Sequence, residues 1–170
     1  FTCEEECQLA KTTFTPYHPK SELVVGLGVE DPPAFKESMR KAFLEKCPEI
    51  QDKSYILFLS RIHEKKGVDL LVKGYIEVFT GAKKSNSKFP HLVIAGPGLE
   101  TNYGLEIKKL AQESELKDSI FFPGMLTKES KWGAFYGCDA FVLPSHQENF
   151  GIAVVESLAC AKPVLISNQV

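Results

Sequence analysis

A chain of 170 residues with 44% hydrophobic and 25% charged residues has the make-up of one soluble globular domain with a core of its own. Its net charge of −2 carries no electrostatic footprint for nucleic acid or an anionic membrane surface. No apolar run approaches the roughly 20 residues that span a bilayer and no secretory signal opens the chain; Phe1 in place of Met raises the expectation of a piece of a longer polypeptide.

Leu23 to Leu27 is the first candidate strand, followed by a Gly/Asp/Pro turn from Gly28 to Pro33. Ala34 to Cys47 reads as a helix with Phe35, Met39, Ala42 and Phe43 at helical spacing, stopped by Pro48. Tyr55 to Leu59 is the strongest strand, and the polar loop Ser60 to Lys66 leads from it into a helix over Val68 to Phe79. Leu71, Val72, Tyr75 and Val78 share one face of that helix. After a polar surface loop from Gly81 to Lys88 comes the strand Leu92 to Ala95, closed by Gly96-Pro97-Gly98. A helix over Tyr103 to Glu115 is expected to bury Leu105, Ile107, Leu110 and Ala111.

Ile120 to Phe122 is a strand ended by Pro123-Gly124, and Thr127 and Ser130 are candidate caps for a helix through Trp132, Phe135 and Tyr136. The strand Ala140 to Leu143, a helix after Gly151 and the strand Pro163 to Ile166 complete the series. Strands apolar on both faces alternating with helices predict a doubly wound, parallel α/β sheet of Rossmann type. Ligands of such sheets sit at the carboxyl ends of the strands, which directs attention to the loops after Leu59, Ala95, Phe122 and Leu143.

Those loops carry one coherent set of groups. Glu148 precedes Gly151, Glu156 follows eight positions later on the helix, and the start of that helix offers unpaired amides and a positive dipole end to an anion. Arg61 and Lys66 supply a guanidinium fork and a point charge that suit a diphosphate, although a solvated basic loop has the same composition. Met125 and Leu126 either flank a flat base or belong to the core, and His63 and His146 stand without supporting partners. The glycines at 96 and 98 fail the dinucleotide fingerprint, whose third glycine falls on Thr101; Gly26 and Gly28 fail it at Asp31. Of the five cysteines, Cys3 and Cys7 are four apart as metal ligands can be, but no second pair completes a site. No metal is expected, and free thiols in a reducing cytoplasm are.

Phe58-Leu59-Ser60-Arg61, Lys66-Gly67-Val68-Asp69-Leu70-Leu71, Val93 to Gly98, Phe122-Pro123-Gly124, Leu143-Pro144-Ser145 and Glu148 through Ala159 stand here in order, with Pro163-Val164 after them. In that order they resemble the C-terminal, donor-binding half of a retaining glycosyltransferase of GT-B architecture, glycosyltransferase family 4 (glycosyl transferases group 1). The resemblance implies that Arg61 and Lys66 neutralise the diphosphate of a UDP-, GDP- or ADP-sugar. It places Glu148 near the donor sugar and the reacting centre, and Glu156 at the ribose hydroxyls. Phe150, Gly151 and Ile152 match the stretch whose amides meet sugar and diphosphate, and Gly98, Met125, Leu126 and Lys131 fall where base and ribose are contacted. It implies transfer to an acceptor hydroxyl with retention and no metal or other cofactor. It further implies a single domain over residues 1–170, short at its C-terminus and without the N-terminal acceptor domain, so that the piece alone transfers little sugar. A cytoplasmic location follows, with any peripheral membrane attachment left to the other half. A nucleotide-sugar-binding module without transferase activity, and an epimerase or phosphorylase on the same plan, remain as alternatives.

Overall fold

The computed structural model describes residues 1–85 and 87–170. Two helices, α1 (Glu4–Thr13) and α2 (Glu37–Leu44), precede the sheet. The strands β1 (Tyr55–Leu59), β2 (His91–Ala95), β3 (Ile120–Gly124), β4 (Ala140–Leu143) and β5 (Val164–Ile166) are joined in turn by α3 (Val68–Lys84), α4 (Asn102–Glu113), α5 (Lys128–Gly137) and α6 (Ile152–Ala159). All strand pairs are parallel and the order is β3-β2-β1-β4-β5, as expected for the doubly wound α/β class.

The order fixes the layers. From β1 the chain steps one way to β2 and β3, then crosses back to β4 and steps the other way to β5. Right-handed crossovers therefore put α3 and α4 on one face and α5 and α6 on the other. Adjacent residues of β1 confirm it: the Tyr55 hydroxyl donates to Ala134 O of α5 at 2.8 Å, while Ile56 shares a cleft with Leu71 and Tyr75 of α3. Between β1 and β4 the connections leave in opposite directions, which opens the sheet's carboxyl edge there.

The core is the predicted one, with Leu57, Phe58, Leu92, Val93, Ile94, Phe135 and Phe141 fully buried. Each large side chain so buried contributes about 1.5–3 kcal/mol. α2 docks on α5 at Gly133, where an added Cβ would overlap the Met39 carbonyl. Thr127 caps α5 as expected, its amide donating to Ser130 Oγ at 3.1 Å.

Several expectations are corrected. Residues 23–27 form no strand; Val25 N–H donates to Phe1 O at 2.8 Å, no sheet strand pairs with them among the described residues, and Leu23, Val25 and Leu27 stay exposed. α2 is shorter than the predicted helix, starting after Pro32-Pro33, so Phe35 lies outside it and meets the Tyr136 ring edge-on at 5.6 Å. Val78 and Leu105 are exposed, Val78 on the side of α3 that faces the uncovered part of the sheet. The predicted loop from Gly81 to Lys88 is helical as far as Lys84, and Asn86 within it lies outside the described residues. The unforeseen α1 buries only Cys7 and Ala10; its opening acids meet the positive dipole end, and Cys3 Sγ accepts from Glu6 N at 3.4 Å. The Cys3/Cys7 spacing is thus that of a cap and a core residue on one helix, and both thiols are free.

Candidate functional site

The loop leaving β1 is held against the loop leaving β4. The buried Ile62 anchors it, and the His63 ring caps a 3-10 turn over Glu64–Lys66 by accepting from Lys65 N at 3.2 Å. Gly67 follows with φ +63°, in the left-handed region, and a Cβ there would overlap the Pro144 carbonyl. Only glycine meets both demands. His146 N–H, from the β4 loop, donates to Lys65 O at 2.9 Å and ties the two loops again.

This interlock brings together residues 82 apart in sequence: Lys66 Nζ lies 2.5 Å from Glu148 Oε2. The two side chains are only 12% and 15% exposed. The other oxygen of Glu148 accepts from Asn149 N at 3.1 Å, so the carboxylate is fixed at both ends. Gly151 then caps α6 in the left-handed conformation, and Val154 N–H turns back to Gly151 O at 2.8 Å. The first-turn amides of Ile152 and Ala153 precede the helix's own ladder and carry the positive dipole end.

Arg61, Lys66, Glu148, Phe150, Gly151 and Ile152 line one open cleft of about 310 Å³ at the carboxyl ends of β1 and β4. Arg61 is exposed and, among the described residues, has no carboxylate partner. The cleft therefore holds one uncommitted cation, one cation shared with Glu148, and a helix start. Such a set suits a multiply charged anion. Leu27 also lines the cleft, and nothing in its local sequence marks it for that place.

The remaining expected residues divide. Glu156, in the second turn of α6, is gripped by Lys131 of α5, with Nζ 2.6 Å from Oε1. The same ammonium stands 4.1 Å above the Trp132 ring. Gly98, with φ +107°, passes close over Ile62, whose carbonyl oxygen an added Cβ would meet at 2.6 Å; it does not line the cleft. Met125 is exposed beyond β3, whereas Leu126 is buried in the core, so the Leu126 side chain is not offered to a ligand. His146 is exposed in a separate depression beside Asp69 and Tyr103. Burial raises the Asp69 carboxyl, but hydrogen bonds from Lys73 and Tyr103 outweigh it and hold the group below its usual range. Burial pushes the Tyr103 hydroxyl up to about 12.

A larger cleft of about 580 Å³ lies on the open sheet face between α3 and β5, lined by Leu70, Val78, Val142 and Leu165 among others. Among the described residues that line it none is charged, and it does not reach the basic pair. Among the described residues no three His, Cys, Asp or Glu cluster as a metal site would need. Burial raises the thiols of Cys47 and Cys138 to about 12, which keeps them protonated and inert at neutral pH.

Residues 39–170 match the sequence family described as Glycosyl transferases group 1. The chain belongs to that family. It is 29% identical over 115 residues to the D-inositol 3-phosphate glycosyltransferase of Kineococcus radiotolerans, an alignment covering 67% of this chain and 26% of the relative. The chain thus spans about a quarter of the length of the curated relatives it first matches. Among solved structures, the sucrose-phosphate synthase of Thermosynechococcus elongatus superposes with a TM-score of 0.71 at 20% identity, over 98% of this chain and 39% of that one. The Anabaena protein HepE, solved with UDP and glucose, superposes with a TM-score of 0.63 at 19% identity, over 79% of this chain and 34% of its own. This chain shares with these structures the Rossmann-like α/β fold of one half of the GT-B architecture. Among the described residues no helix is long and apolar enough to cross a membrane.

Proposed function

We propose that this chain is the donor-binding domain of a retaining glycosyltransferase that moves a hexose from a nucleoside-diphosphate sugar to an acceptor hydroxyl. The observation that carries the proposal is the pairing of Arg61 and Lys66 with the start of α6 across one cleft, at the point where the sheet's connections diverge. Family membership, and the UDP and glucose held by HepE, support the same reading.

In this reading the diphosphate lies between the basic pair and the amides at Gly151 and Ile152. The sugar lies toward Glu148 and the ribose toward Glu156. As the bond from the anomeric carbon to the diphosphate breaks, the electron pair leaves with the phosphate, and fixed cations and amides stabilise the charge that develops there. The diphosphate also competes with Glu148 for Lys66, so donor binding frees a Glu148 oxygen to accept from a sugar hydroxyl. Glu148 is a donor-positioning carboxylate in this scheme, and no metal or other cofactor is assigned. The acceptor is met on a second domain outside these 170 residues, with the protein in the cytoplasm.

A thermal-shift panel of UDP-, GDP- and ADP-sugars on the chain tests the proposal. One of the three raises the melting temperature in a concentration-dependent way, while free hexose at the same concentration leaves it unchanged. No rise with any of them contradicts it.

A further inference from the structure

Lys131 was expected from the resemblance among the groups that touch base or ribose, yet its ammonium is already committed. It donates to Glu156 Oε1 at 2.6 Å and rests 4.1 Å above the Trp132 ring, with the lysine side chain 23% and the carboxylate 13% exposed. The lysine's own backbone is fixed as well. It follows directly on Ser130, whose hydroxyl accepts from the Thr127 amide at 3.1 Å and donates to Thr127 O at 2.8 Å to close the first turn of α5. Trp132 is in turn packed on the fully buried Phe135, ring centres 5.9 Å apart. The Lys131–Glu156 ion pair is therefore a rigid strut between α5 and α6, in which one carboxylate oxygen is occupied and Oε2 has no partner among the described residues.

We infer that Lys131 is a positioning residue. It makes no ligand contact itself, but clamps Oε1 of Glu156 so that Oε2 is presented, already oriented, to a pair of vicinal hydroxyls. A free glutamate on the second turn of a helix samples several rotamers, and binding a diol would have to freeze them; the clamp removes that cost in advance. The ammonium also offsets the desolvation of the carboxylate when a ligand covers it. The inference rests on the placement of Glu156 at the ribose, and it assigns specificity for a ribonucleotide to a residue on a different helix from the acid that reads it.

The test is calorimetric titration of the 170-residue chain with UDP, GDP or ADP, whichever base the thermal-shift panel selects, and with its 2′,3′-dideoxy analogue. In Lys131→Met the ribonucleotide binds about tenfold more weakly, the cost of freezing one long side chain on binding. The dideoxy analogue binds it within about twofold of the unaltered chain, because the basic pair and the start of α6 are untouched. Lys131→Arg restores the preference for ribose, and Glu156→Gln abolishes it with Lys131 in place. If Lys131→Met does not fold, Lys131→Gln carries the same comparison. Equal losses for both ligands, or an undiminished ribose preference in the Lys131 variants, overturn the inference while leaving the donor site standing. An unaltered chain that binds both ligands equally removes Glu156 from the ribose and the inference with it. An unaltered chain that binds neither overturns the donor-site reading as a whole.

Discussion

The apolar trough beside α3 encloses nearly twice the volume of the cleft at the ends of β1 and β4, about 580 against 310 Å³, yet the charged groups are in the smaller one. Their origins differ. The trough exists because a parallel sheet needs both faces covered, and α3 and α4 lie over β1 to β3 while β4 and β5 stay bare on that side. The cleft exists because the connections reverse direction between β1 and β4, and it is lined by whatever the loops carry. Volume reports uncovered apolar surface; the proposed donor site follows the charges and the helix start.

The largest expected effect separates the two clefts directly. Arg61→Ala and Lys66→Ala should each cost about 1–3 kcal/mol of nucleoside-diphosphate affinity, as loss of a charge-assisted hydrogen bond does. Val78→Ser and Leu165→Ser, in the trough, should change it by less than about twofold, as distant independent sites do. Calorimetry on the four variants checks this, with urea melts to show that each still folds.

An intermediate effect is expected where the clefts share a wall. Pro144 lines the trough and sits on Gly67, next to Lys66, which lines the cleft. Gly67→Ala should destabilise the fold by about 2 kcal/mol through its left-handed backbone and the Pro144 carbonyl it would strike. It should also weaken ligand binding by moving Lys66. A urea midpoint equal to that of the unaltered chain would show that the wall is soft.

The smallest effect belongs to the other end of the sheet. His91, at the amino end of β2, is held below its ordinary value of 6.5, first by burial and then by the nearby Lys53 charge. The unfolded chain therefore takes up this proton first. Its share of stability is complete above pH 6.5 and declines as pH falls below that toward the depressed folded value. His91→Gln should flatten the stability profile below pH 6.5 without altering ligand affinity, which chemical denaturation across pH 5–8 would show.

What was legible in the sequence follows the same division. β1 through β5 could be read because buried parallel strands are short apolar runs between turn signals. The run at residues 23–27 has the same composition but, among the described residues, no sheet strand to pair with, and pairing is a tertiary fact. α1 could not be read because two buried residues make too thin a stripe. Arg61, Lys66, Glu148 and Gly151 were legible because each follows a strand end. The grip of Lys66 on Glu148, across 82 residues, and of Lys131 on Glu156, across 25, depends on how loops and helices meet. So does the withdrawal of Leu126 into the core.

The comparison of the two clefts is tested most directly by following backbone amide resonances during titration with UDP, GDP or ADP. The largest shifts are expected on Ser60 to Gly67 and on Phe150 to Ala153, saturating together. Shifts confined to Leu70, Val78, Val142 and Leu165, with the loops after β1 and β4 unmoved, would contradict it.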